Sequence, residues 1–181
     1  MIQVLVPDAA HPVGQLGGNP LVPNGFQWPT CVSCDGRMTH LAQLSVDGRL
    51  LTAFQCENDP GMCEDWEPFA GGNAAVVFTD ATVRATTPDG VLSYLPILVG
   101  VGRLDGDYSS VDDEDIFGQF GGDPSWIQDD ETPDCPNCPA GPMRFVAQLD
   151  PGPHQFNFGD YGRAYLFDCS LCSAAAWLWQ S

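Results

Sequence analysis

Eight cysteines punctuate a chain of 181 residues, at Cys31, Cys34, Cys56, Cys63, Cys135, Cys138, Cys169 and Cys172. Two CxxC pairs, CVSC ending at Cys34 and CPNC ending at Cys138, each present two sulfurs from a single chain bend, which is half of the tetrahedral ligand set that zinc prefers. The other half must come from elsewhere. Cys169 and Cys172 form a further CxxC, so Cys135, Cys138, Cys169 and Cys172 read as one closed site. Cys56 and Cys63, separated by ENDPGM, form an irregular knuckle that would complete a second site with Cys31 and Cys34. Two such sites consume all eight cysteines. Four thiolates leave no open position for water or substrate, so two zinc ions bound here would hold the fold together and not catalyse.

Two alternatives use the same residues. A disulfide framework would allow about 105 pairings. A CxxC redox pair would follow a strand and open a helix, whereas CVSC and CPNC lie among Pro, Asp, Asn and Gly. His40 lies near enough in sequence to compete as a ligand, but it stands where the other repeat has Phe145, on a strand. His11, His40 and His154 are far apart, and the chain has no HExxH, GxSxG, P-loop or GxGxxG motif. No catalytic or cofactor-binding residue is assigned, and the chain is not expected to be an enzyme.

The elements that must position the cysteines occur twice. At an offset of 104 residues, QLGGNP from Gln15 falls on QFGGDP from Gln119, and Cys31 and Cys34 fall on Cys135 and Cys138. One inserted residue then aligns Met38 with Met143 and Ala42-Gln43-Leu44 with Ala147-Gln148-Leu149. Further on, AFQC ending at Cys56 faces LFDC ending at Cys169. Copy one spans residues 15–69 and copy two 119–179, with a strand-containing, acidic connector over 70–118, all within a single pseudo-duplicated domain. Short runs rich in Val, Leu, Phe and Tyr are cut by 20 Gly and 16 Pro, which predicts antiparallel strands. Helical periodicity is weak, although Cys172 to Trp179 could supply a turn or two. The expected class is α+β, β-rich, with internally duplicated antiparallel sheets and two zinc knuckle sites.

Charge narrows the partners. Twenty-four Asp and Glu face six basic residues, all Arg, for a net charge of −18. Such a chain repels nucleic acid and anionic membrane and favours a basic protein. The N-terminal MIQVLVPDAA has no positive stretch followed by a long apolar run, so a cytoplasmic location is expected. Eleven of the acids fall between Asp105 and Asp134 with no Arg among them. A solvated loop or a halophilic host would explain an acidic run, but here the acids clump and are interleaved with Tyr108, Phe117, Phe120 and Trp126. Asp105, Asp107, Tyr108, Asp112, Asp113, Glu114, Asp115 and Trp126 are therefore expected to bind the basic partner. An EF-hand loop begun at Asp105 fails, with Ser110 at the required Gly and Ile116 at the required Glu.

Copy two carries FGGDPSWIQ (120–128), CPNCPAGPMRFVAQL (135–149), FNFGDYGRAYLFDC (156–169), CSLC and WLWQ. These motifs resemble the YwqG-like family of bacterial proteins. Copy one looks like that family's N-terminal half through LGGNPLVPNGFQWP (16–29) and HLAQL (40–44). The knuckles and the M-x-F-x-x-Q-L pattern also look like the eukaryotic programmed-cell-death-protein-2 group, whose members are dedicated chaperones for a ribosomal protein of the small subunit. The resemblance implies a β-rich α+β fold with internal duplication and no established catalytic residues. Some YwqG-like proteins lie in toxin and immunity neighbourhoods, so the partner implied is a ribosomal protein or a toxin. The CENDPGMC knuckle departs from the pattern.

Overall fold

A computed structural model describes residues 1–111 and 113–181 of the chain. Asp112, one of the expected partner-binding residues, lies outside the described residues. The short β-branched and aromatic runs form twelve strands: β1 (Ile2–Pro7), β2 (Gly14–Leu16), β3 (Leu21–Val22), β4 (Thr39–Val46), β5 (Arg49–Gln55), β6 (Asn73–Phe78), β7 (Val83–Arg84), β8 (Ile97–Leu104), β9 (Gly118–Phe120), β10 (Arg144–Leu149), β11 (Arg163–Asp168) and β12 (Ala175–Gln180).

The expected α+β class is wrong, because the described residues contain no α-helix. They hold only two single 3-10 turns, Tyr108–Ser110 and Gly152–His154. The stretch expected to make a helical turn, Cys172 to Trp179, instead enters β12. Its Ala and Leu would suit a helix, but β12 pairs along its whole length with β11, from Asp168 opposite Ala175 to Arg163 opposite Gln180. That pairing buries both Trp177 and Leu178 completely, and tertiary burial on two faces outweighs the weak local preference.

Ten strands form one antiparallel sheet in the order β12-β11-β10-β9-β1-β8-β2-β4-β5-β6. Its two ends meet at an antiparallel bridge between Val76 and Ala174, so the sheet curls into a nearly closed barrel. Leu5, Leu16, Leu44, Leu51, Val99, Leu149, Leu166 and Trp177, drawn from eight different strands, share one buried cluster. Phe156 and Phe158, from the loop between β10 and β11, join it. Each large side chain withdrawn from water in this way contributes about 1.5–3 kcal/mol.

The order of strands reads alike from both ends. β2, β4, β5 and β6 follow one another as β9, β10, β11 and β12 do. β6 lies beyond residue 69 yet takes the place in copy one that β12 takes in copy two. Local bonds recur as well. Gln15 Nε2 donates to the carbonyls of Gly17 and Asn19 at 2.9 and 3.0 Å, and Gln119 Nε2 donates to those of Gly121 and Asp123 at 2.9 and 2.7 Å. The register slips between His40 and Ala42 in β4 and between Phe145 and Ala147 in β10. The first strands are exchanged: β1, which leads into copy one, pairs with β9, while β8, which leads into copy two, pairs with β2.

Candidate metal centres

Each CxxC is held in a loop closed at its base. The Cys31 amide donates to Gly36 O at 2.8 Å and the Asp35 amide to Cys31 O at 3.0 Å, while Thr30 bridges to Arg37. In copy two the Cys135 amide donates to Gly141 O at 3.0 Å and Asp134 bridges to Pro142. The second knuckles start where β5 and β11 end, with the Cys56 amide on Gly72 O at 2.8 Å and the Cys169 amide on Ala174 O at 2.9 Å. Gly72 is required by proximity, since a Cβ there would lie 2.0 Å from the carbonyl oxygen of Cys63.

These loops bring the sulfurs together in two groups of four, Cys31, Cys34, Cys56, Cys63 and Cys135, Cys138, Cys169, Cys172, with all ligand atoms of each group within 4.8 Å of one another. Cys138 Sγ lies 3.5 Å from Cys135, 3.5 Å from Cys169 and 3.8 Å from Cys172, and Cys135 lies 3.6 Å from Cys172. Cys34 and Cys56 are 3.6 Å apart. A tetrahedron with metal–sulfur bonds of about 2.3 Å has edges of about 3.8 Å, which is the spacing seen. A disulfide would require about 2.05 Å, and all eight thiols are free. Both groups can hold a metal ion. The ENDPGM segment does not prevent this in copy one, because it turns outward, with Met62 72% exposed, and returns Cys63 to the cluster almost fully buried.

The surroundings are apolar and ordered by hydrogen bonds. Cys31, Cys56 and Cys63 pack with Met38 and Phe54 against Phe26 and Trp28. Cys169 packs with Met143 and Phe167, and its three partner cysteines lie with Trp126 and Phe145 at the margin. Burial pushes the Cys63 and Cys56 thiols up, whereas the Leu171 amide draws Cys169 down to about 7. Asn58 Nδ2 donates to Cys56 Sγ at 3.2 Å. A metal ion must displace the protons that burial favours, so loading is coupled to pH.

His40 is not part of either group. Its Nδ1 donates to Gly18 O at 2.9 Å, its ring stands edge-on to Phe54, and burial lowers its pKa to about 4, so it is a neutral strand residue.

Sequence inspection did not single out the residue just before each third cysteine. Gln55 Nε2 donates to Asn157 O at 2.7 Å, in the β10–β11 loop of the other copy. Asp168, fully buried, takes Arg144 at 2.8 and 2.9 Å and a short contact from Arg49, whose other nitrogen donates to Cys172 O at 3.4 Å. Each knuckle is thereby tied across to the opposite copy. The alignment of AFQC with LFDC marked both positions; the partners that cross between copies, Asn157 for Gln55 and Arg49 for Asp168, lie more than 100 residues away and left no local trace. Two half-paired carboxyls were also missed. Tyr94 OH donates to Glu57 Oε1 at 2.8 Å and Trp179 Nε1 to Asp65 Oδ2 at 3.2 Å, and burial raises both acids.

Among the expected partner-binding residues, Asp105, Asp107, Asp113, Glu114 and Asp115 are exposed. The aromatics are not presented with them. Tyr108 is 2% exposed, packs with Val4 and Ile116 and donates to Asp150 Oδ2 at 2.5 Å. Trp126 lies on Tyr165 at 4.4 Å between ring centres, and Phe117 is in the barrel core. An exposed aromatic costs more in water than one that pins a polar loop to the core, so these side chains anchor the acidic segment.

No family model matches the chain. It is 39% identical over 64 residues to the uncharacterized protein YpfL of Salmonella typhimurium strain LT2, a match that covers 35% of this chain and 15% of that protein.

Proposed function

We propose that this chain is a zinc-stabilised, non-enzymatic protein-binding module whose acidic face receives a basic protein. The observation that carries the metal half is the pair of closed four-sulfur clusters at tetrahedral spacing. Thiolate sets of this shape take zinc or iron, and an isolated mononuclear set with no open position suits structural zinc. The binding half is supported by Asp105, Asp107, Asp113, Glu114 and Asp115, which project from one segment that buried Tyr108 and Ile116 fasten to β1. With zinc bound, each cluster of four thiolates carries −2, so metal adds to the acidity. The motif resemblance supports two kinds of basic partner, a ribosomal protein held by a chaperone and a toxin masked by an immunity protein.

A pull-down at low and high salt tests this. A basic protein should be retained at low salt and released as screening shortens the reach of exposed charges. Recovery of no basic protein, or of one indifferent to salt, counts against the proposal. Asp113→Asn, Glu114→Gln and Asp115→Asn together should leave the melting temperature unchanged and weaken retention, since the Asp113 cap on the Asp115 amide, 3.0 Å, survives in Asn. The same CxxC pairs leave a second reading, a thiol-redox protein. Two metal ions per chain, with no reactive thiol until chelation, would dispose of it.

A further inference from the structure

Three of the six arginines answer carboxylates: Arg49 and Arg144 meet Asp168, and Arg163 meets Asp150. Arg37 and Arg84 pair with no carboxylate among the described residues, in a chain with 24 acids to choose from. Both line one open cleft of about 770 Å³, whose apolar walls include Pro23, Phe26, Trp28 and Pro88.

The cleft is built before any ligand arrives. Arg84 stands in β7 opposite Leu21 of β3, in a two-stranded sheet apart from the barrel. So short a sheet does not hold itself together. Gln43 fixes β3 through the Leu21 amide at 2.9 Å and carbonyl at 2.7 Å, and Asn19 Oδ1 fixes the chain after β7 through the Thr87 amide at 3.1 Å and hydroxyl at 2.7 Å. None of residues 79–90 is buried, so this arm adds nothing to the core. What it does place is Arg84, whose Nη1 donates to Asn19 O at 2.6 Å and to Gln15 Oε1 at 3.1 Å, while the edge formed by Nε and Nη2 has no partner among the described residues. That edge is shaped to hold a carboxylate through two parallel hydrogen bonds. Trp28 is fixed as well, with Nε1 donating to Met38 O at 2.7 Å and its ring edge-on to Phe54 at 5.4 Å. The metal loop does not demand these residues. The bridge that sets Arg37 opposite Thr30 recurs as Pro142 opposite Asp134, and at the offset of 104 Phe26 and Trp28 fall on Asp130 and Thr132.

We propose that this cleft binds a small organic monocarboxylate with an apolar ring, its carboxylate on Arg84 and Arg37 and its ring among Phe26, Trp28 and the prolines. Asp35 also lines the cleft and leaves the lining at a net charge of +1, which matches a single negative charge and not a phosphate dianion. At physiological salt the acidity of the rest of the chain is screened beyond about 8 Å, so the lining sets the local preference. The volume falls within the range of about 300–1,000 Å³ usual for small-molecule sites, and the tethered guanidinium and indole spare the ligand the cost of ordering them. The inference is independent of the acidic face.

The probe is 3-phenylpropanoate, titrated at pH 7 into the ¹⁵N-labelled full chain. Saturable shifts should appear at the Trp28 indole and at the amides of Gly25, Arg37 and Arg84, half complete at a few millimolar or below. The neutral 3-phenylpropanamide should bind about tenfold more weakly. Arg84→Lys, which keeps the charge and loses the two-bond edge, should weaken binding about fivefold. Should that change loosen the arm and shift the Thr87 amide, Arg37→Gln, exposed and without a side-chain partner, should give the same weakening on an intact cleft and an unchanged melting temperature. Equal binding of the amide, parental affinity in Arg37→Gln, or shifts that do not saturate at these residues would overturn the proposal. Phenyl phosphate binding about tenfold more tightly than 3-phenylpropanoate would overturn the choice of a monocarboxylate.

Discussion

Replacing Cys169 by Ser removes one corner of the copy-two cluster with little change in shape. Cys169 is 1% exposed and its sulfur lies 3.5 Å from that of Cys138, the thiol closest to the other three. A serine hydroxyl is a poor ligand for soft metal, and three sulfurs do not close a tetrahedron. A structural zinc site contributes about 10–16 kcal/mol of binding free energy, and in a small metal-clamped loop that is folding free energy. Divided evenly over four ligands, one corner carries about 2.5–4 kcal/mol. For a chain of this length the melting temperature falls by about 2–4 °C per kcal/mol, so the loss should be about 5–16 °C. The copy-one cluster shares no ligand with it, so its ion should stay, while the weakened copy-two ion should be the first removed by chelator, taking metal content from two ions toward one. Atomic emission on purified protein and a thermal melt with and without chelator measure both. Cys138→Ser should behave alike. Two ions per chain with a melting temperature within about 2 °C of the parent would refute the assignment of these sulfurs as a closed metal site.

Asp168→Asn should cost about 2 kcal/mol, because the buried carboxylate loses two guanidinium partners, a loss discounted by the 42% exposure of Arg144; urea melts of the variant and of Arg49→Met should reveal it, and an unchanged midpoint would show the clamp to be idle. His40 has its pKa lowered from 6.5 to about 4 by burial. Below pH 6.5 the unfolded chain takes a proton that the folded chain refuses, so His40 lowers stability progressively from pH 6.5 down to 4 and has no effect above that window. His40→Phe, which installs the residue found at Phe145, should remove a loss of about 2 kcal/mol at pH 5; parallel stability profiles at pH 7 and pH 5 would contradict it. Gly18→Ala and Gly122→Ala share the strain of a left-handed residue, about 1–2 kcal/mol, but only Gly18→Ala also drives a Cβ into Pro96. It should therefore be the more destabilising by about 1–3 kcal/mol in paired denaturant melts, and equal costs would mean that the two turns are equally covered.

The grouping of the cysteines was legible because ligand count and CxxC spacing are local facts, and the repeat supplied the remaining assignments by alignment. Even the irregular knuckle could be read, since six residues between Cys56 and Cys63 are enough to turn outward and return. The class was not legible for a physical reason. The stretch from Cys172 to Trp179 has helix-tolerant residues, and only its pairing with Arg163–Asp168 makes it a strand. The aromatics of the acidic segment misled in a similar way. Tyr108 and Trp126 sit among carboxylates in sequence, but their neighbours in space are Asp150 and Tyr165, and nothing local distinguishes an anchor from a contact residue. The difference between the two copies was also hidden, because the glycine pairs are identical and what covers one of them comes from residues 94–96.

The exchange of first strands explains why two metal clusters serve one barrel. Copy one contributes β2, β4, β5 and β6, but the outer neighbour of β2 is β8, which precedes copy two. Copy two has the reciprocal debt to β1. Neither half can complete its own sheet, and each knuckle reaches over to the other half, Gln55 to Asn157 and Asp168 to Arg49. A zinc ion lost from one cluster therefore loosens contacts in both copies, and the two halves expressed separately should not fold until mixed. Residues 1–90 alone retaining a cooperative melt would show that the exchanged strands are dispensable. If they are needed, as this pairing requires, the acidic segment after β8 is set by the same central strand pair, which lies outside both copies and completes the sheet of each.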